Sequence, residues 1–146
     1  MLADNLKVLQ ASSFSLYLKA AGFHWNVEGA NFPQYHEFLG DYYSDIYDTI
    51  DPIAEYIRAL DQYAPASFVR FQELTQIADQ VSQLQSTEQF MELLDNNATL
   101  LNLLNETFAV ANAENQQGIA NFMAERIDAM QKHNWMIRSI LKSNKV

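Results

Sequence analysis

The chain contains no cysteine. Disulfide staples and thiolate metal sites are therefore excluded, and any metal must be held by nitrogen and oxygen donors. Glycine occurs only four times and proline three times in 146 residues, which argues for helices joined by few turns. No run of about 18 apolar residues occurs, so no membrane span is expected. The start, Met1-Leu2-Ala3-Asp4-Asn5, has neither the basic region nor the apolar stretch of a secretory signal, and a cytoplasmic location is expected. Basic residues are also scarce: nine Lys and Arg stand against 18 Asp and Glu, a formal net charge of −9. Such a chain repels nucleic-acid phosphates and attracts cations. Lys7 stands alone near the front, and Lys142 and Lys145 are spread over the tail, so direct DNA binding is disfavoured. What remains is a globular composition, 49% apolar, long enough for one domain over residues 1–146 with a real core.

The apolar residues recur at helical spacing. Leu6, Leu9, Ser13, Leu16 and Ala20 mark an amphipathic helix over about residues 4–25, with Asp4 as a candidate N-cap. Gly29 and Asn31 turn the chain, and Pro33 suits the start of the next helix. That helix carries Phe38, Tyr42, Ile46, Ile50, Ile53, Ile57 and Leu60, and its stripe passes through Pro52 without losing phase. One kinked helix is expected in preference to two. Ala64-Pro65-Ala66-Ser67 is a break, and a short helix over 67–77 follows, its phenylalanines suggesting burial at an interface. Ser86 and Gln89 resemble a capping box opening a third long helix along Phe90, Leu94, Ala98, Leu101, Leu104, Phe108 and Ala111. After a turn at 114–118, Ile119, Phe122, Met123, Ile127, Met130, Ile137 and Leu141 mark a fourth. The expected fold is all-α: a ferritin-like four-helix bundle with one long crossover carrying a short extra helix.

Residues 24–55 pose a geometric puzzle. His36 and Asp51 would lie about 22 Å apart along one helix, too far to share an ion. Yet 15 residues of helix return them to nearly the same face, and Glu55 shares it with Asp51 as an i,i+4 pair. Two copies packed antiparallel about a two-fold axis near Ser44 and Asp45 would set His36 of one against Asp51 and Glu55 of the other. That arrangement makes an intersubunit nitrogen and oxygen site suited to iron or zinc.

The block His24-Trp25-Asn26-Val27-Glu28-Gly29-Ala30-Asn31-Phe32, with His36 twelve residues after His24, and Asp51-Pro52-Ile53-Ala54-Glu55 resemble the Dps-type miniferritins. Glu125-Arg126-Ile127 and Trp135-Met136-Ile137-Arg138 resemble that family's last helix. The resemblance implies a hollow dodecamer whose two-fold interfaces bind Fe(II), oxidise it with hydrogen peroxide or dioxygen, and store ferric mineral inside. Carried over residue by residue, it places ligands on His24 and His36 of one subunit and on Asp51 and Glu55 of its neighbour. These four are the candidate ferroxidase residues, with Fe(II)/Fe(III) as the metal and zinc or manganese as substitutes.

Three departures stand out. The family usually carries an Asp four residues after its second histidine, where this chain has Gly40 followed by Asp41. Asp41 is the candidate replacement ligand, provided that Gly40 permits a local distortion. The turn into the last helix bears Asn115, Gln116, Gln117 and Asn121 where aspartates often line an iron-entry pore, and a lysine-rich tail is missing. Gly40 and the amide-rich turn support an alternative, a structural or DNA-associated cage with weak or no ferroxidase activity; the charge of −9 argues against its DNA version. Elsewhere the expectations are plainer. Trp25 is expected in packing, with radical quenching as a further role, and Tyr42, Tyr43 and Tyr47 in bundle or interface packing. Asp41, Asp45 and Asp48 read as a solvated face unless Asp41 is recruited, and His133, beside Lys132, as a surface residue. Met123, Met130 and Met136 read as core filling, and no haem is expected.

Overall fold

The computed structural model describes residues 1–142; Lys145 lies outside them. Five helices are described and no strand: α1 (Leu2–Asn26), α2 (Phe32–Ala59), α3 (Phe68–Leu74), α4 (Ser86–Ala113) and α5 (Gln117–Leu141). Helix α1 packs on α2 and α4, α4 packs on α5, and the short α3 sits against α1 within the crossover. The expected ferritin-like arrangement is therefore the observed one. No described helix is long and apolar enough to cross a membrane.

The boundaries follow local chemistry. Helix α1 starts two residues early, with Met1 at the N-cap and Asp4 in the first turn. Its end is set by Val27, whose backbone is extended, and by Gly29 at φ 120°, a conformation that a side chain strongly disfavours. Helix α2 runs unbroken through Pro52, so the single-helix expectation holds. Ser67 caps α3, its hydroxyl accepting from the Arg70 amide at 3.1 Å. The capping box expected at Ser86 and Gln89 lies one residue earlier: Glu88 accepts from the Gln85 amide at 3.3 Å. Gln89 instead points inward and is fully buried.

The core gathers Leu6, Leu9 and Leu16 of α1, Leu39, Ile46, Ile53 and Ile57 of α2, Phe90, Leu93 and Leu104 of α4, and Met123, Met130 and Ile137 of α5. Each such side chain contributes about 1.5–3 kcal/mol on burial. Met123 and Met130 fill core as expected. On α4 the expected stripe holds at Phe90, Leu104 and Ala111, while its other positions lie one residue from the buried face. Leu93, Asn97, Leu100, Leu104, Thr107 and Ala111 face inward, whereas Leu94, Leu101 and Phe108 are half-buried and Ala98 is exposed. Two polar residues on that face explain the offset. The Thr107 hydroxyl donates to the Leu103 carbonyl at 2.7 Å, and Asn97 is held by side chains of two other helices.

Asn97 accepts from the Tyr42 hydroxyl and donates to Asn134 at 2.8 Å, linking α2, α4 and α5. Burial pushes the Tyr42 hydroxyl well above the usual phenol range, so it stays protonated and donates. A second polar tie joins α1 to α4, where Lys19 reaches Glu92 at 2.8 Å and Asn96 at 2.7 Å. Tyr42→Phe is expected to cost about 1–2 kcal/mol, because it leaves the Asn97 carbonyl oxygen buried and unbonded. A denaturant titration of both proteins measures this directly.

Candidate metal centre

His24 stands in the last turn of α1 and His36 in the second turn of α2. The turn over residues 27–31 folds one helix end back on the other and brings the imidazoles face to face. Their ring centroids are 3.8 Å apart and their planes 15° from parallel. A pair of crossed hydrogen bonds holds them. His24 Nδ1–H donates to the His36 carbonyl at 2.6 Å, and His36 Nδ1–H donates to the His24 carbonyl at 2.7 Å. The second bond also serves α1, because a carbonyl in a helix's final turn lacks an intrahelical partner.

These bonds fix the chemistry of both rings. A carbonyl oxygen only accepts, so each Nδ1 carries the proton, and in the neutral ring the lone pair lies on Nε2. This is how a ligating histidine is oriented: one nitrogen is anchored to a backbone carbonyl and the other is left for the ion. Two aromatic rings enclose the pair. Phe32 stacks on His36 at 4.9 Å, and Tyr43 tilts against His24 at 5.3 Å. Neither was singled out for this from the sequence, although Phe32, one helical turn before His36, carries the required spacing.

The carboxylates lie elsewhere. Asp51 and Glu55 are both exposed, on the later half of α2. Asp41 is exposed too, and α2 passes through Gly40 and Asp41 without a break, so the distortion that would recruit Asp41 is not seen. Among the described residues, no three His, Asp or Glu side chains converge as a metal site within one chain. The chain thus carries two imidazoles ready to ligate at one end of α2 and an open carboxylate pair toward the other. Trp25, expected in packing, is 61% exposed within the chain. Of the short helix, Phe71 packs against Phe14 of α1 at 4.9 Å and is half-buried, whereas Phe68 is 80% exposed within the chain.

The bundle interior holds a different cluster, which corrects two expectations. Asp45 does not belong to a solvated face, and His133 is not a surface residue. Arg126 grips Asp45 with two bonds of 3.0 and 2.7 Å, and His133 Nε2 lies 2.7 Å from the same carboxylate. The Arg126 and His133 side chains are 11% and 12% exposed. Burial alone would raise the Asp45 carboxyl; the bonds and charges of His133 and Arg126 outweigh it and hold that carboxyl well below the usual range. Bundles that carry metal in their core build the site from inward carboxylates and histidines on facing helices. Here the Arg126 guanidinium already pairs with the carboxylate, and the imidazole clasp, which has no such cation, is the candidate centre.

Helix order, crossover and clasp define a class, and the ferritin-like domain family matches residues 3–145: the chain belongs to the ferritin-like family. The DNA protection during starvation protein of Helicobacter pylori is 27% identical over 139 residues, covering 94% of this chain and 96% of that protein. A nutrient stress-induced DNA-binding protein of Nostoc is 30% identical over 125 residues, covering 85% and 67%. The crystal structure of the Vibrio cholerae DPS protein, described as a member of a broad superfamily of ferritin-like diiron-carboxylate proteins, matches with a TM-score of 0.93. It is 27% identical and covers 97% of this chain and 89% of that one. Within the family this chain is a Dps-type miniferritin, a group whose broad functions are iron storage and protection from oxidative stress.

Proposed function

We propose that the chain is an iron-sequestering ferroxidase whose site is completed by a second copy. Fe(II), the substrate, is bound by His24 and His36 of one subunit and by Asp51 and Glu55 of the next. The observation that carries this reading is the crossed clasp: both Nδ1 atoms are bonded to carbonyls, both Nε2 atoms are free to ligate, and among the described residues no third donor of the same chain joins them. The open carboxylate pair on α2 supplies what is missing once two helices pair antiparallel. Carboxylate oxygens stabilise the ferric product more than the ferrous substrate, which favours loss of the electron. With hydrogen peroxide as oxidant, two Fe(II) each lose one electron, and the peroxide takes up two protons and leaves as two waters. No hydroxyl radical is released, and the acidic chain retains the ferric product in a hollow dodecamer. Zinc and manganese fit the same donors without this redox step.

Anaerobic loading with Fe(II), then peroxide, tests the proposal. Ferric absorbance is expected to rise faster than in buffer, iron to coelute with the assembly, and His36→Ala to abolish both. No acceleration over buffer would leave the structural-cage alternative in its place. DNA binding, named for the Nostoc relative, does not suit a chain of net charge −9.

A further inference from the structure

We infer that Gly40 is a positioning residue: the space that a side chain at position 40 would fill is the seat of the His24 imidazole. The seat stands on geometry alone, and its consequence for metal binding rests on the proposed function. A Cβ built on Gly40 would lie 3.0 Å from His24 Cε1, 3.2 Å from Nδ1 and 3.8 Å from Nε2. Gly22 and Gly118, also in helices, would meet nothing within 4 Å. The ring has little room to give way. Its Nδ1 is tied to the His36 carbonyl at 2.6 Å, its face lies on His36, and Tyr43 leans on it.

The arrangement has a simple cause. Side chains on a helix lean back toward its N-terminus, so residue i+4 overhangs the carbonyl of residue i. Residue 40 is one turn after His36. With a side chain there, the His36 carbonyl would be shielded; without one, it accepts from His24 as a second donor. The glycine is unfavourable inside a helix, and half of the clasp is gained in exchange. It follows that any side chain at position 40, a carboxylate included, starts in tight contact with the seated His24, and the ring must shift by a few tenths of an ångström to admit it. The absent family aspartate therefore leaves no empty space beside the site: the imidazole lies in contact with the place where its side chain would begin, and the donor set is shifted toward nitrogen.

A double-substitution cycle in the metal-free assembled protein tests the seat: Gly40→Ala, His24→Ala and both together. With His24 removed, Gly40→Ala is expected to raise the thermal midpoint by about 3 °C, the ordinary gain of Ala over Gly in a helix. With His24 present, that gain is expected to vanish or reverse. Equal gains in both backgrounds would overturn the inference. Co(II) titration followed by its visible absorption supplies the second arm, with Gly40→Ala expected to weaken binding about tenfold. Coupling in the cycle with Co(II) affinity unmoved would reduce Gly40 to a packing residue and overturn its positioning role. A wild-type protein that binds no Co(II) would overturn the metal-site reading as well, whereas the metal-free cycle would still report on the seat.

Discussion

Two inactive variants of this protein, mixed as unfolded chains and assembled together, are expected to recover ferroxidase activity. One variant carries His24→Ala and His36→Ala; the other carries Asp51→Asn and Glu55→Gln. Each alone loses its ligands in every site and is expected to fall at least about 100-fold in Fe(II) oxidation rate, since losing even a supporting group of a metal site costs 10–100-fold. Recovery follows from symmetry. In a two-fold pair each site takes imidazoles from one chain and carboxylates from the other, so a mixed pair has one site with every ligand missing and one site intact. Random pairing makes half of the pairs mixed, so about a quarter of all sites, and about a quarter of the wild-type rate, should return.

No arrangement confined to one chain gives this result, because each chain then brings its own defect to its own site. Assembling each variant separately and mixing afterwards serves as control, and no recovery is expected if subunits do not exchange. Stopped-flow ferric absorbance after peroxide addition reads all arms. Failure of the co-assembled mixture, with both variants folded and assembled, would remove the intersubunit reading and leave the carboxylates of α2 without a part in oxidation.

What the sequence made legible and what it hid divide along a physical line. The stripes on α1 and α2 could be read because Leu6, Leu9, Leu16 and Ala20, and Tyr42, Ile46, Ile53 and Ile57, keep helical spacing even though Gln10, Ser12, Ser13, Lys19 and Thr49 are buried beside them. On α4, Phe90, Leu104 and Ala111 were read correctly, but Asn97 and Thr107 interrupt the inward face, and beside them the stripe appeared one residue away, on Leu94, Ala98, Leu101 and Phe108. Polar side chains satisfied by one another leave no periodic mark. For the same reason Asp45 read as solvent-facing and His133 as a surface residue, since charge suggests exposure unless the partner is known. The histidine spacing could be read, but the clasp could not: its acceptors are backbone carbonyls, which every residue has. Gly40 looked like a lost ligand because a missing side chain says nothing about what fills its place.

The Asp45 cluster carries the second large prediction. Asp45→Asn is expected to destabilise the protein by about 2–3 kcal/mol, less than the 3–5 typical of a fully buried pair because Asp45 is 35% exposed. The loss arises mainly on Arg126, a nearly buried cation left without its counter-charge, and secondly on His133, which then competes for one amide oxygen. The same pairing sets an acid limit. A carboxyl whose folded value is depressed binds its proton less readily than in the unfolded chain, so below the ordinary Asp value near 4 the unfolded state takes up more protons and stability rises with pH. The contribution is present in full above that range and is lost as pH falls through the depressed folded value. Thermal midpoints between pH 2 and 7 should therefore fall more steeply with acid for the wild type than for Asp45→Asn, and the gap between the two curves should narrow below about pH 4. Parallel curves would mean that Asp45 is not the group whose charge holds α2 to α5.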